Sequence, residues 1–292
     1  MQKLILGCGY LGERVAARWL ADGHEVAAVT RSAGRAEEFS RRGIRPVIAD
    51  VMRPETLTAL PDAVTVLYAV GFDRSAGHTQ REVSVDGLRS ALAVLSGRCD
   101  RLIFISSTSV YGQSDGEWVD ESSPCEPDRP NGQACLEAEQ VVWEFFPQDL
   151  SEAESPSGPN HRGAVVLRLA GLYGPGRLLR RVEQLRSGEP IGGNPDAWLN
   201  LIHVDDAAAA VLACENRFEP GETYLIADDR PVRRREYFEE LARLTSAPRP
   251  TFIGDDAANF NKRISNRKAR EQLALTLAYP GIECGLPQAL GL

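Results

Sequence analysis

The chain opens with LILGCGYLG at residues 4–12, three apolar residues that run directly into a glycine-rich turn. The apolar run is typical of a buried strand, and residues 13–21 follow a helical pattern. A strand, a G-x-G-x-x-G turn and a helix together form the fingerprint of a dinucleotide-binding unit. We therefore expect Gly7 to make the tight turn, Gly9 to let a pyrophosphate approach, and Gly12 to bring the helix against the sheet.

The residues between these glycines lie at a predicted helix N-terminus. Backbone N–H groups there lack helical partners and the helix dipole is positive, so phosphates bind readily. We assign Tyr10 and Leu11 to the same cofactor contact. Cys8 raises a separate hypothesis, because a thiol at a helix N-terminus can have a lowered pKa, and its oxidation would then block the site. The alternative is a small residue that simply fills the turn.

The end of the second predicted strand, residues 25–30, indicates which dinucleotide binds. A carboxylate there would bind the adenosine ribose hydroxyls of NAD, whereas an arginine accommodates the extra phosphate of NADP. The chain has Arg31 and Ser32 at this position and Arg35 one turn further on. This pattern favours NADP, with NAD as the alternative if Arg31 is only a solvated surface residue.

Strands and helices continue to alternate through the first half of the chain. Apolar runs at residues 46–49, 64–70, 101–106 and 164–169 predict four more strands. The rhythm predicts an α/β fold, a doubly wound parallel Rossmann sheet, in which ligands bind beyond the carboxyl ends of the strands. Asp50 is expected to lie near the adenine, to cap the next helix, or both. The strand-end residues assigned to the cofactor site are Asp50, Val51, Ala69, Val70 and Gly71.

The strict alternation stops after Gly171, which predicts two parts of unequal size. We expect an NAD(P)-binding Rossmann domain over residues 1–170 and a smaller mixed lobe that binds substrate over 171–292, with residues 200–216 returning to the first domain. A polar, Pro- and Ser-rich segment at 147–163 is the best candidate for a mobile insertion. Helices are expected in the second half near residues 178–187, 205–214, 234–245 and 266–273.

Composition excludes several classes of partner. The 292 residues are 43% hydrophobic and carry a formal net charge of -8, which repels nucleic-acid phosphates and anionic membranes. No apolar run approaches the ~20 residues of a membrane span, and the short N-terminal run is expected to be a strand rather than a signal peptide. The six cysteines form no C-x-x-C pair, so we expect no metal site and a reducing, cytoplasmic location.

Four further motifs occur in order along the chain: SVDG at residues 84–87, SSTSVYG at 106–112, RLAGLYGPG at 168–176 and LIHVDD at 201–206. Together with the glycine turn, they resemble the extended short-chain dehydrogenase/reductase family, in particular an atypical subgroup of its NAD(P)-dependent epimerase/dehydratase members. The resemblance runs through nearly the full length. It implies an NAD(P)-dependent oxidoreductase or epimerase/dehydratase that acts on a small polar or sugar-like substrate, and it is compatible with a homodimer.

The resemblance also implies a catalytic hydroxyl. The family uses a serine or threonine four residues before the tyrosine of V-Y-G, which is Ser107 here, to hydrogen-bond the substrate oxygen. Four adjacent hydroxyl groups at residues 106–109 leave the choice open, and strand-end capping is the expected role of Ser106 and Ser109. Tyr111 itself is normally a structural residue of this motif.

The acid/base pair of the family is missing from this chain. In the family a tyrosine is followed four residues later by a lysine, whose charge lowers the tyrosine pKa toward neutrality. Gly132 and Glu139 fit neighbouring positions of that motif, which puts Asn131 in place of the tyrosine and Cys135 in place of the lysine. Asn131 has no titratable proton, and neutral Cys135 supplies no positive charge.

Three explanations of this gap stay open. Another residue acts as the acid, and Tyr111, Tyr173 and His203 are nearest to the site in sequence. Alternatively, the chain performs only hydride transfer, and water or substrate supplies the proton. The third explanation is that catalysis is lost, which would leave a catalytically silent NAD(P)-binding sensor or regulatory protein.

A second departure concerns the substrate. Nucleotide-sugar members of the family have an arginine shortly before V-D-D that binds the nucleotide phosphates, whereas this chain has Leu199 and Asn200 there. This difference argues against a nucleotide-sugar substrate. Arg177, Arg180 and Arg181 are expected to form a solvated helix face, with binding of a different anion as the alternative.

Overall fold

Seven parallel strands form the central sheet of the computed structural model, which describes residues 1–148, 162–254 and 261–292. In spatial order they are the strands that begin at residues 223, 163, 99, 63, 2, 25 and 45, and every neighbouring pair is parallel. Within the described residues the strands are β1 (Gln2–Leu6), β2 (Glu25–Thr30), β3 (Arg45–Ile48), β4 (Ala63–Tyr68), β5 (Cys99–Ser107), β6 (Trp118–Val119), β7 (Gly163–Leu169), β8 (Gly171–Tyr173), β9 (Ile191–Gly192), β10 (Trp198–Leu199), β11 (Leu201–His203), β12 (Thr223–Ile226), β13 (Val232–Arg233), β14 (Phe252–Ile253) and β15 (Arg263–Ile264).

Helices cover both faces of this sheet, which confirms the predicted α/β, doubly wound Rossmann fold. Short 3-10 turns at Pro54–Ala59 and Thr108–Val110 and a π-helical turn at Glu82–Asp86 join some of the elements. The α-helices are α1 (Gly12–Ala21), α2 (Ala33–Arg41), α3 (Gly87–Leu95), α4 (Pro130–Phe145), α5 (Leu179–Arg186), α6 (Val204–Asn216), α7 (Arg234–Thr245), α8 (Arg267–Gln272) and α9 (Ile282–Leu290).

The core lies on both sides of the sheet because strand side chains alternate between its faces. Ile5 of β1 packs with residues of α1 and α6, while Leu4 and Leu6 pack with residues of α3 and α4 on the other side. Since β1 and β4 are adjacent while the chain crosses to opposite faces after each of them, their carboxyl ends form the switch point at which such sheets bind ligands. The glycine turn that follows β1 lies there.

Residues after Gly171 contribute to both parts of the molecule. Helix α6 packs against α1, β5 and β7 of the sheet, so residues 204–216 lie with the first half of the chain. A separate apolar cluster joins α5, α7 and α9. The described residues include no helix long and apolar enough to cross a membrane.

Three elements of the structure differ from the prediction. The strand β12 was not predicted, yet it pairs with β7 and completes the sheet, and helix α9 was also missed. Asp50 does not cap the following turn, whose N-cap is Arg53; instead its Oδ1 accepts a hydrogen bond from the backbone of Met52 at 3.0 Å. Most of the predicted insertion at 147–163 lies outside the described residues.

Candidate functional site

A cavity of about 580 Å³ opens at the carboxyl ends of β1, β2 and β4. It is lined by most of the residues that the sequence assigned to the cofactor, whereas Gly12 and Ser32 do not line it. The predicted residues on its wall are Gly7, Gly9, Tyr10, Leu11, Arg31, Arg35, Asp50, Val51, Ala69, Val70 and Gly71.

The three glycines of the turn differ in their surroundings. Gly7 has a φ of +86°, and a Cβ added there would overlap the backbone carbonyl of Ala69 at the end of β4. A Cβ on Gly12 would lie 2.8 Å from the carbonyl oxygen of Gly7, so α1 starts tightly against the turn. Gly9 is different, because a Cβ there would meet no atom within 4 Å. Gly9 thus faces open space on the cavity wall.

The N-terminus of α1 points into this cavity. Its N-cap residue is Leu11, and no side chain caps the helix. The Glu13 and Arg14 amides bond to the carbonyls of Gly9 and Leu11, so an anion would be attracted by the helix dipole and by the amides that precede them. Beside them, the Tyr10 ring lies between two guanidinium groups, with Arg14 at 4.5 Å and Arg177 at 4.4 Å from its centroid.

Arginines also line the end of the cavity next to β2. Arg31 lies 3.6 Å from the Asp73 carboxylate, and both side chains are about half exposed. Arg35 pairs with Glu13 and Glu38, while Ser32 caps α2 by accepting a hydrogen bond from the Arg35 amide at 3.4 Å. This end of the cavity therefore combines two cations with the N-terminus of α2.

The hypothesis of a reactive Cys8 thiolate was wrong. Burial, with the nearby Glu13 charge, raises the pKa of Cys8 to about 12, despite the opposing effect of Arg35 and Arg42. The thiol is buried within the turn and stays protonated at neutral pH. The alternative, a small residue that fills the turn, describes its environment.

The four hydroxyl residues after β5, at 106–109, have different roles from those expected. Ser107, not Ser109, acts as the cap, because its Oγ accepts a hydrogen bond from the Ser109 amide at 3.1 Å. Ser106 donates to the Glu139 carboxylate at 2.5 Å, and Ser109 Oγ lies 3.7 Å from Cys135 Sγ. The cap uses only a lone pair of Ser107, so its hydroxyl proton can still be donated.

A buried ion pair holds the loop after β5 in place. Arg168 of β7 makes a bidentate contact with Glu139 of α4, with its Nε at 3.0 Å from Oε1 and Nη2 at 2.6 Å from Oε2. The same guanidinium donates to the Tyr111 hydroxyl at 2.6 Å. Tyr111 is completely buried and held by this bond. The network thus ties α4, β7 and the loop after β5 into one unit.

The first turns of α4 carry the two departures from the family motif. Asn131 is exposed, and Cys135 is partly buried beside Ser109. Between them, Gly132 lies so close to the carbonyl oxygen of Ser109 that a Cβ would overlap it. The structure therefore brings Gly132 and Cys135 against Ser109, with Asn131 next to Gly132 in the chain. Burial raises the pKa of Cys135, so its thiol is neutral.

His203 and Tyr173 lie apart from the cavity wall. His203 is fully buried and caps α6, its Nδ1 accepting from the Asp205 amide at 3.3 Å while Nε2 lies 2.8 Å from Gln288 Oε1. These contacts correspond to a neutral ring with its proton on Nε2, and burial lowers the pKa of the ring. Tyr173 packs edge-on against this ring at 5.2 Å.

Asp228, next to this pair, leads to a prediction about stability. Its Oδ1 accepts from the His203 amide at 3.3 Å, and the Tyr173 hydroxyl also interacts with the carboxyl, which partly offsets the effect of burial. Burial raises the pKa of Asp228 to about 8, above the ~3.9 of an unfolded chain. The folded state therefore favours the protonated carboxyl, and stability present below about pH 4 is lost as the pH rises toward 8.

We accordingly expect Asp228→Asn to raise the melting temperature by a few degrees at about pH 8 and to leave it unchanged at about pH 4. The exposed neighbour Asp229, which pairs with Arg270, gives the control variant Asp229→Asn, which should not stabilise the protein at either pH. Thermal unfolding followed by circular dichroism measures both. If Asp228→Asn changed the melting temperature equally at the two pH values, the raised pKa of Asp228 would be contradicted.

Sequence reasoning assigned other roles, or none, to several residues of the site. Arg177 was expected on a solvated helix face, yet it lies on the cavity wall against Tyr10. The apolar wall formed by Ile105 and Leu172 was also missed. Strand-end position is the signal that could have indicated Ile105, since it precedes the hydroxyl run.

The chain is similar to known proteins in family, in sequence and in fold. A sequence model described as the NAD dependent epimerase/dehydratase family matches residues 4–227. The chain is 26% identical over 283 residues to Protein YeeZ of Escherichia coli (strain K12), covering 94% of this chain and 95% of that one. It is 25% identical over 267 residues to a 3-diazoavenalumate denitrifying reductase of Streptomyces sp, covering 86% of this chain and 83% of that one.

A solved structure shares the fold. It is a short-chain dehydrogenase/reductase superfamily protein from Agrobacterium tumefaciens with bound NAD, and it matches with a TM-score of 0.80 at 20% identity, covering 100% of this chain and 96% of that one.

Proposed function

The chain belongs to the NAD-dependent epimerase/dehydratase family, as its motifs predicted, and from this premise we propose that it is an NADP-dependent oxidoreductase or epimerase. Its proposed substrate is a small polar, sugar-like molecule with a carbonyl or hydroxyl group. The relative from Streptomyces is named a reductase, which supports redox chemistry over a silent sensor. The cavity beyond β1, β2 and β4 is the proposed dinucleotide site.

The glycine turn fits a pyrophosphate. A Cβ on Gly9 would meet no atom within 4 Å, and no side chain caps the N-terminus of α1. These features are those by which such turns bind phosphate. Arg177, stacked on Tyr10 at the cavity wall, adds a positive charge at the same place.

The observation that carries the choice of NADP is the pair of arginines at the end of β2. Arg31 directly follows this strand, and Arg35 lies one turn into α2, both on the cavity wall. The contact of Arg31 with Asp73 is long and half exposed, so it contributes little energy and can yield to a phosphate. A 2′-phosphate would gain a contact with Arg31 and the favourable dipole at the N-terminus of α2.

Bound NADP would supply the hydride donor or acceptor. The chain's own residues would orient the substrate, with the Ser107 hydroxyl donating a hydrogen bond to its reacting oxygen. Glu139 and Arg168 hold the loop that carries Ser107. Ile105 and Leu172 give this end of the cavity an apolar wall that excludes water.

Replacing Arg31 by Ala tests the choice of dinucleotide. The variant should weaken NADPH binding roughly 10- to 100-fold, because a charge-assisted contact to a phosphate contributes about 1.5–3 kcal/mol. The affinity for NADH, which lacks the 2′-phosphate, should stay within about threefold of the wild type. Quenching of tryptophan fluorescence gives both dissociation constants.

Arg53→Ala is the matched control for this experiment. Arg53 lies near the same end of the sheet, pairs with Glu55 on the surface and does not line the cavity. It should leave both affinities unchanged. An equal loss of NADH and NADPH affinity in Arg31→Ala would overturn the choice of NADP, and oxidation of NADPH against a panel of sugars, aldehydes and ketones would test the reaction itself.

We also infer a cytoplasmic location. The six cysteines are all free, and Cys8, Cys99 and Cys214 are buried as thiols. Thiols left unpaired in this number fit a reducing compartment.

A further inference from the structure

The proposed reaction requires a group that exchanges a proton with the substrate oxygen, and the loop after β5 offers few. Tyr111 donates no proton easily, because its hydroxyl is held by Arg168 and burial raises its pKa. Burial likewise raises the pKa of Cys135. Asn131 does not titrate at all. A side chain that titrates near neutral pH would therefore come from another part of the chain.

Lys262 comes to this loop from the second half of the chain. It is only 4% exposed, and its Nζ donates a hydrogen bond to the backbone carbonyl of Tyr111 at 2.5 Å. The charged groups that act on it are Asp128 and Arg129, in the segment that leads into α4. The ammonium group thus contacts the loop that carries Ser107 and feels the charges of the segment that precedes α4.

The backbone on both sides of Lys262 is fixed by two asparagines. Asn200 donates through Nδ2 to the Lys262 carbonyl at 2.9 Å and accepts through Oδ1 from the Ile264 amide at 2.8 Å. Asn261 accepts from the Trp198 amide at 3.0 Å, and its carbonyl accepts from the Gly116 amide at 2.5 Å. Asn200 stands where an arginine was expected, so this departure from the family has a structural role in placing Lys262.

The choice of lysine at this position is itself informative. Only three of the 33 basic side chains in the chain are lysines. Lys3 forms a buried ion pair with Glu215, and Lys268 pairs with Glu222 at 2.5 Å. An arginine cannot release its proton in a protein, whereas a buried lysine can. Burial, opposed by Asp128 and assisted by Arg129, lowers the pKa of Lys262 to about 8.

We propose that Lys262 is the proton-exchanging group of the reaction centre, resting on the proposed oxidoreductase function. In the reductive direction, the Nζ–H bond breaks and its proton forms an O–H bond on the substrate carbonyl oxygen. The hydride that forms the new C–H bond comes from the reduced dinucleotide, which is thereby oxidised. The neutral amine regains its proton from water, so atoms and charges balance.

The test is a comparison of two dissociation constants over pH. The oxidised nicotinamide ring carries a positive charge that the reduced ring lacks, so a protonated Lys262 nearby disfavours NADP⁺ alone. The ratio of the NADP⁺ to the NADPH dissociation constant should therefore fall about three- to tenfold between about pH 7 and about pH 9, as Lys262 loses its proton. Effects of the 2′-phosphate, present in both ligands, cancel in the ratio.

Two variants and one control complete the experiment. In Lys262→Met the ratio should stay flat over pH, and in Lys262→Arg it should stay flat because the guanidinium keeps its charge. Lys268→Met should retain the wild-type slope. A flat ratio in the wild type, or an unchanged slope in either Lys262 variant, overturns the role of Lys262 while leaving the dinucleotide site intact. Absence of binding by both dinucleotides overturns the proposed function together with it.

Discussion

Gly9→Ala should weaken dinucleotide binding roughly 100-fold without lowering the melting temperature. A Cβ at Gly9 meets no protein atom within 4 Å, and the residue does not need a positive φ, so the folded chain accommodates alanine. The added methyl group would instead occupy the space through which a pyrophosphate approaches the turn. Fluorescence titration with NADPH and thermal unfolding of the same sample separate the two effects.

Gly7→Ala provides the contrast within the same turn. Its φ of +86° and the overlap with the Ala69 carbonyl require the backbone to shift, which costs about 2 kcal/mol or more. We therefore expect Gly7→Ala to lower both stability and affinity. If Gly9→Ala bound NADPH as tightly as the wild type, the turn would not be the phosphate site.

Arg168→Met should lower the free energy of unfolding by about 3–5 kcal/mol. Glu139 is 2% exposed and would be left buried without its cation, and Tyr111 would lose the donor that holds its hydroxyl. Urea denaturation followed by circular dichroism measures the loss. Because the network also holds the loop that carries Ser107, the proposed NADPH-dependent activity should fall at temperatures at which the variant is still folded.

The control for this variant is an exposed ion pair whose glutamate lies on the same helix, α4. Arg89 pairs with Glu144 across the surface of α3 and α4, and both side chains are about half exposed. Arg89→Met should cost at most about 1 kcal/mol. The double variant Glu139→Gln/Arg168→Met should recover part of the loss, because no charge is left buried. A cost for Arg168→Met no larger than that for Arg89→Met would contradict the structural role of the buried pair.

The parts of the fold that follow from local pattern could be predicted from the sequence. The glycine turn, the apolar strands of the first half and the helix at Arg234–Thr245 depend on residues close together in the chain. Strand β12 has only four residues and becomes a strand through its pairing with β7, so its pattern alone did not identify it. Asp50 lies on the cavity wall, but its alternative role as the cap of the following turn was wrong, because aspartate caps several kinds of turn equally well and here bonds the Met52 amide.

The candidate site divides in the same way. Gly7 was assigned to the site from the glycine motif around it, and Arg31 from its position directly after a predicted strand. Arg177 and Lys262 could not be found so, since their positions depend on contacts with Tyr10 and Tyr111 that lie more than 140 residues away in the chain. Nothing in the residues around Lys262 predicts a functional role, which becomes visible only when the fold shows it buried beside the loop after β5.

Titration calorimetry of the full chain with NADPH and NADH tests the central claim most directly. We expect one saturable site per chain for NADPH and weaker binding of NADH. The cavity beyond β1, β2 and β4, with Gly9 and Arg31 on its wall, is the structural basis of that expectation. The absence of binding heat with both dinucleotides, confirmed by an unchanged melting temperature in their presence, would contradict it.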